Sequence, residues 1–143
     1  MLLLTLFVGC SDKKSEDKVD NKIEGTYKLM TVKGRSPAEF YKDESDEDAQ
    51  YTNGYYHLDE LDEDSLKNLA TLTLNKDGTF ELVYVDDVIK ADSGEWTKEE
   101  DGRISFHHRV GQIFYAEFND GKLTFPEGMH RLHDVELVYR KTR

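Results

Sequence analysis

The chain has one cysteine, two prolines and far fewer bases than acids in its 143 residues. Because Cys10 is the only thiol, no internal disulfide can form, and a zinc site built on a Cys-x-x-Cys motif is excluded. Two prolines and ten glycines are too few for a fibrous or low-complexity protein. The net charge of −11 makes nucleic acid a poor partner, because phosphate binding needs clustered Lys and Arg.

Long apolar runs are also lacking, except at the N-terminus. Residues 1–9 are apolar, but a bilayer-spanning helix takes about 20 such residues. Residues 6–10, LFVGC, resemble the lipobox that ends a bacterial lipoprotein signal peptide. The resemblance implies cleavage before Cys10, a lipid anchor (diacylglycerol with palmitate) on its thiol, and an extracytoplasmic protein held at the cell membrane or outer membrane. A truncated ordinary signal peptide or a short apolar N-terminus is the alternative.

The composition divides the chain into three parts. Residues 1–9 are predicted to be a signal peptide, truncated because no basic residue precedes the apolar run. Residues 10–22 are predicted to be the lipidated cysteine and a flexible tether, since segment 11–21 has one apolar residue in eleven. Residues 23–143 are predicted to form one β-domain.

Residues 70–84 show the pattern of a β-hairpin. Apolar and polar residues alternate on both sides of a turn at residues 75–78, where Gly78 can adopt a positive φ. The same kind of pattern recurs at residues 23–32, 93–97, 103–107, 113–118, 123–125 and 135–141. About eight strands joined by short turns predict an all-β, antiparallel meander that closes into a barrel, with one dry and one wet face. In the first strand, Tyr27, Leu29 and Thr31 are expected to share one face.

Residues 36–69 are predicted to be a helical insertion after the first strand and to act as a lid or rim. Ser36 and Glu39 form a capping box that starts a short helix at Pro37, after which Phe40 and Tyr41 reach the core. A second short helix is predicted from the spacing of Leu58, Leu61, Leu66 and Leu69. Segment 42–64 holds one base and ten acids, hence a charge of −9.

Three tyrosines lie between the acid clusters of this insertion. Tyr51, Tyr55 and Tyr56 are expected in a loop, where aromatic residues have little reason to be buried. They form either a mouth or a contact surface for a basic partner, or they fold back over the barrel end. Electrostatic docking of that kind would weaken with salt.

A family resemblance covers residues 23–141. GTYKL at 25–29, LTLNKDGTF at 72–80 and SGEW at 93–96 resemble bacterial lipocalin-like domains of surface lipoproteins. The resemblance implies a non-enzymatic calyx for a small apolar or amphipathic ligand, closed by Tyr27 packing with Arg140. The expected lining residues are Tyr27, Phe80, Leu82, Tyr84, Trp96 and Phe106. The alternative is that these aromatic side chains are simply core and that the barrel is filled.

Catalytic and metal sites find no support in the sequence, so neither an enzyme nor a cofactor is expected. The one thiol is predicted to carry lipid, and no Gly-x-Ser-x-Gly elbow exists. An EF-hand loop counted from Asp46 does not fit, because Tyr51 and His57 occupy its sixth and twelfth positions. A weak cation site remains an alternative to a solvated acidic loop. His107 and His108 should point to opposite faces of a strand. All five histidines are expected to be solvated: His57, His107, His108, His130 and His133.

Overall fold

Eight antiparallel strands close into a barrel in the computed structural model, which describes residues 22–143. The strands are β1 Gly25–Val32, β2 Ala70–Leu74, β3 Thr79–Tyr84, β4 Asp92–Lys98, β5 Arg103–His108, β6 Ile113–Asn119, β7 Lys122–Phe125 and β10 Leu137–Lys141. Each pairs with the next along the chain, and β10 closes the barrel between β7 and β1. The predicted all-β meander barrel is confirmed. The predicted signal peptide, the Cys10 anchor and most of the tether lie outside the described residues.

The hairpin at residues 70–84 has the register that its alternation predicts. Leu72 pairs with Leu82 and Leu74 pairs with Phe80, and all four side chains are buried. Gly78 has a φ of 88° in the connecting turn, a conformation that glycine adopts without steric cost. Alternation therefore fixed both the pairing and the inward face of this hairpin.

The first strand departs from simple alternation. The pairing of β1 with β10 shifts between Val138 and Tyr139, so that Met30 is an extra residue on β1. Beyond this bulge Val32 turns inward and is fully buried, whereas Thr31 is half-buried. The expectation that Thr31 shares the inner face with Tyr27 and Leu29 was wrong, because a bulge reverses the order of faces.

The segment between β1 and β2 is more helical than predicted. It contains α1 Pro37–Tyr41, α2 Glu47–Tyr56, a 3₁₀ turn at Leu58–Glu60 and α3 Glu63–Lys67. The Ser36–Glu39 capping box is confirmed. The leucine stripe, by contrast, is divided between two elements, since Leu61 is extended.

The tyrosines expected in a loop lie on a helix instead. Asp46 caps α2 by accepting from the backbone N–H groups of Asp48 and Ala49. Acids in the first turn also favour the helix dipole. Local capping therefore allows a polar, acidic segment to form a helix, although only Ala49 and Asn53 are buried along it.

Both insertions lie at one end of the barrel, which we call the upper rim. The helical segment joins the end of β1 to the start of β2, and a ribbon of β8 Gly128–Met129 and β9 Leu132–His133 joins the end of β7 to the start of β10. Because neighbouring strands run in opposite directions, these four strand ends meet at the same rim. Among the residues that the structure describes, no helix is long and apolar enough to cross a membrane.

Candidate functional site

Most of the expected lining residues lie inside the barrel, where they touch one another. Tyr27, Phe80, Leu82, Tyr84 and Phe106 are all buried. Ring centroids are 5.3 Å apart between Phe80 and Phe106, and 5.1 Å apart between Phe106 and Phe125. The next pair, Phe125 and Tyr139, is 5.7 Å apart. These rings form a continuous chain of aromatic contacts inside the barrel.

Tyr27 and Trp96 lie toward the opposite, lower end of the barrel. The Tyr27 hydroxyl donates to the Ile23 carbonyl at 2.6 Å, and the half-buried Trp96 donates from Nε1 to the Asn75 carbonyl at 2.9 Å. Both polar atoms thus donate to backbone carbonyls, one in the segment before β1 and the other in the turn between β2 and β3. Arg140 pairs with Lys28, not with Tyr27, and is exposed on the outer face. The structure therefore does not bring Tyr27 and Arg140 together as a barrel-closing pair.

A polar cluster lies inside the upper rim. Tyr84 ends β3, Asp92 begins β4 and His108 ends β5, so the topology brings the three side chains to one level of the barrel. His130 reaches the same place from the turn of the β8–β9 ribbon. All four are buried, with the two histidines 3% and 5% exposed. The expectation that all five histidines are solvated was wrong for this pair.

The cluster is connected by hydrogen bonds and stacked rings. His108 Nδ1 is hydrogen-bonded to Asp92 Oδ2, and His130 Nε2 lies 3.6 Å from that same oxygen. The Tyr84 hydroxyl lies 3.4 Å from His130 Nδ1. The two imidazole rings are nearly parallel, at 9°, with centroids 5.6 Å apart. One carboxylate oxygen therefore faces both histidines.

Burial sets the charge state of the cluster. It lowers the pKa of His108 and lowers the pKa of His130 to about 4. Burial opposes ionisation of Asp92, but the hydrogen bonds from His108 and the Ser93 backbone outweigh it and lower the pKa of that carboxyl. At neutral pH the cluster therefore holds an anionic carboxylate between two neutral imidazoles.

Three buried polar atoms have no hydrogen-bond partner within residues 22–143: His108 Nε2, the Tyr41 hydroxyl and the Tyr139 hydroxyl. The absence of a partner at Nε2 fits a neutral His108, because a charged imidazole would bury an unsatisfied donor there. The wall and the ribbon enclose the cluster, which is therefore a buried polar network inside the upper rim.

A groove of about 1040 Å³ lies on the outer wall of the barrel. It runs between the outer face of the β1–β10 pair and helices α1 and α3. The half-buried Met30 and Ala38 supply apolar surface to it, and the buried Pro37 is part of its lining. Its charged residues are Lys28, Lys42, Lys67, Arg140, Glu39, Glu63 and Asp64. In a protein of net charge −11, this is a surface where bases outnumber acids.

Cationic side chains form a row across three neighbouring strands beside this groove. Arg140 on β10 pairs with Lys28 on β1 and with Lys122 on β7. Like charges directly opposite one another on a sheet repel. Within the described part of the chain, none of the three lies within salt-bridge distance of an acid. This row, Lys28–Arg140–Lys122, was not predicted from sequence.

The tyrosine-bearing helix α2 presents a different surface. Tyr51 and Tyr55 are 63% and 66% exposed, and their ring centroids are 5.3 Å apart. Tyr56 is half-buried and packs against the core. The three residues are thus not one surface, because only Tyr51 and Tyr55 are available to a partner.

Ion pairs connect α2 and the acidic residues before it to two bases that follow β1. Lys33 lies 3.1 Å and 3.0 Å from the carboxylates of Asp46 and Asp48, and Arg35 lies 3.0 Å from Asp43. Hydrogen bonds from Ser45 and from Arg35 lower the pKa of Asp43 to about 2. The acidic segment is therefore fixed to the barrel by bases at the end of β1, and is not simply a solvated loop.

The described residues contain no cluster of three or more His, Cys, Asp or Glu side chains arranged to hold a metal ion. Comparison of the chain with protein-family models, with curated proteins and with solved structures finds no match. The groove with its cationic row, the exposed tyrosine pair and the buried polar network are therefore interpreted from their own geometry.

Proposed function

We propose that the protein is a lipid-anchored, extracytoplasmic binding protein without enzymatic activity, and that its ligand is a small anionic amphiphile. The ligand occupies the outer groove, not the barrel interior. Its charged head contacts the cationic row, and its apolar part covers Met30 and Ala38. A lipocalin-like barrel then serves as the rigid support for a site on its outer wall.

The observation that carries this proposal is the row of bases without acid partners. Arg140 lies between Lys28 and Lys122 in the sheet register, an arrangement that is repulsive in the free protein. A carboxylate or phosphate placed across the row would relieve that repulsion. An adjoining apolar surface would add about 25 cal/mol for each Å² removed from water.

The position of the groove also fits an anchored protein. The chain enters the domain at Lys22, whose carbonyl accepts from Lys141 Nζ at 2.6 Å. Thr26 and Arg143 are hydrogen-bonded through their backbones, so both ends of the domain lie on the β1–β10 pair. An anchor on Cys10 would therefore hold the protein by the same strand pair that forms the groove wall.

A ligand titration tests the proposal. The purified protein would be titrated with a long-chain fatty acid and, separately, with the corresponding uncharged alcohol. We expect the acid to bind more tightly, and we expect the Lys28→Glu/Arg140→Glu double variant to lose at least tenfold in affinity for it.

The matched control is Lys76→Glu/Lys90→Glu, which changes the net charge equally at two exposed lysines that do not line the groove. Its affinity should be close to that of the wild type. Equal loss of affinity in both double variants would mean that only net charge matters. Equal affinity for the acid and the alcohol would show that the cationic row does not bind the ligand's charge.

A second candidate function is docking of a basic partner on α2. The exposure of Tyr51 and Tyr55 favours it, because two large aromatic side chains at the surface beside acids suit contact with Lys or Arg. A Tyr51→Ser/Tyr55→Ser variant should lose a salt-sensitive partner, whereas binding in the groove should be unaffected. If this variant retained every partner of the wild type, docking through Tyr51 and Tyr55 would be rejected.

A further inference from the structure

The upper rim is closed by the β8–β9 ribbon, whose Met129 and Leu132 side chains are buried in the hydrophobic core. Its strands share two residue pairs, Met129 with Leu132 and Gly128 with His133. A two-stranded ribbon of this size is not stable alone. The ribbon therefore depends on what its inward side chains contact.

His130 is the polar side chain through which the ribbon enters the barrel. It is 5% exposed, and its ring stacks on Tyr84 at a centroid distance of 6.0 Å as well as on His108. Its backbone φ of 56° lies in the left-handed region, which residues other than glycine rarely adopt. The ribbon thus contributes one buried, stacked imidazole ring to the polar cluster.

We propose that the ribbon is an acid-released plug, in which protonation of His130 detaches residues 128–133 from the upper rim and exposes the polar interior of the barrel. The device is independent of the outer groove and of its ligand.

The surroundings of His130 accept a neutral imidazole better than a charged one. The groups that face it are Tyr84 from β3, Asp92 from β4 and His108 from β5, with Arg131 beside it in the turn. As a neutral ring, His130 can accept from the Tyr84 hydroxyl at Nδ1. Protonation would turn that nitrogen into a donor and leave the buried Tyr84 hydroxyl to find a new acceptor.

Asp92, the one carboxylate among these groups, does not offset the cost of burying a protonated His130. Asp92 Oδ2 is already hydrogen-bonded to His108, and it lies 3.6 Å from His130 Nε2, beyond a good hydrogen bond. Arg131 adds a positive charge nearby. When the ribbon is open, the imidazole reaches water and regains its ordinary pKa, so acid favours the open form.

The size of the effect follows from linkage. Burial lowers the pKa of His130 to about 4, against about 6.5 for a solvated imidazole. Between pH 7.5 and pH 5 the open fraction should therefore rise about 30-fold.

Hydrogen exchange on the full chain, read by mass spectrometry, measures this opening directly. Exchange of the peptide covering residues 126–136 would be followed at pH 7.5 and pH 5, with correction for the intrinsic exchange rate at each pH. We expect a roughly 30-fold gain in opening in this peptide at pH 5, without an equal gain in the hairpin at residues 70–84.

Two variants assign the effect to His130. His130→Phe keeps an aromatic ring on His108 but cannot take a proton, so the pH dependence of the ribbon should vanish. If that variant does not fold, His130→Gln keeps polar contacts and equally lacks a titrating group. The control, His133→Phe, changes the half-exposed histidine of the same ribbon and should keep the wild-type response.

Three results would overturn the proposal. The first is equal exchange of the wild-type ribbon at both pH values after correction, the second is opening only together with the hairpin, and the third is a full pH response in the His130 variants. The last result would assign the response to another group, such as His108.

Discussion

Asp92 and His108 lie sixteen residues apart, and their side chains are hydrogen-bonded inside the barrel wall. The bond joins the first residue of β4 to the last residue of β5. Both side chains are almost fully buried. A hydrogen-bonded polar pair in this position holds β4 and β5 together at the upper rim, and it leaves one carboxylate oxygen facing the ribbon.

Removal of the carboxylate should therefore destabilise the fold. Asp92→Ala leaves the His108 Nδ1–H group buried without an acceptor, which costs about 1–3 kcal/mol of unfolding free energy. Asp92→Asn should cost less, because its amide oxygen can still accept. Urea denaturation would measure both changes. Glu81→Ala, an exposed acid on β3, is the control and should stay within about 0.5 kcal/mol of wild type.

Stability should fall in mild acid. Burial lowers the pKa of both His108 and His130, in the second case to about 4, while unfolded histidines titrate near 6.5. Between these values the unfolded chain binds more protons, so the stabilisation is complete above pH 6.5 and is lost as the pH falls toward 4. His130 alone should contribute roughly 3 kcal/mol to this loss.

Urea unfolding at pH 7.5, 6 and 5 tests this dependence. His130→Phe should flatten the curve in part and leave the share that belongs to His108. His57→Gln is the control, since the His57 side chain is 66% exposed. A curve that is flat in the wild type would contradict the burial of two neutral histidines.

Much of the barrel could be predicted because a half-buried strand leaves a period of two in the sequence. Phe80, Leu82 and Tyr84 show it, and their strand pairs as expected. The bulge at Met30 could not be predicted, since it depends on pairing with Val138 and Tyr139 more than a hundred residues later. Helix α2 was missed because its polar sequence lacks an apolar stripe, although Asp46 as N-cap was a usable signal.

The sites were harder to predict for a related reason. His108 shares the inward parity of Ile104 and Phe106, so its burial could have been inferred from the strand pattern. The burial of His130 could not, because two short strands leave no periodic signal. The cationic row depends on the register that joins the first strand to the last, which no local pattern specifies.

The buried amide of Asn53 should anchor helix α2 to the last residue of α1 and to the 3₁₀ turn at Leu58–Glu60. Its Nδ2 donates to the Tyr41 carbonyl at 2.9 Å, and its Oδ1 accepts from the Asp59 backbone at 3.1 Å. Asn53→Ala leaves both backbone groups without these partners and should cost about 1–3 kcal/mol. Hydrogen exchange should show the loss mainly in residues 42–64. Gln50→Ala, which removes one hydrogen bond to the Asp43 carbonyl from a half-buried side chain, should cost less.

Two glycines should respond oppositely to alanine. Gly54 lies inside α2 with nothing within 4 Å of an added Cβ, so Gly54→Ala should stabilise the helix by about 0.5–1 kcal/mol. At Gly94 on β4, an added Cβ would overlap the His107 carbonyl and come within 2.8 Å of the Phe80 ring. Gly94→Ala should therefore destabilise the barrel by about 1–3 kcal/mol. Thermal unfolding of both variants checks the pair, and a loss of stability in Gly54→Ala would contradict the helical assignment of the tyrosine segment.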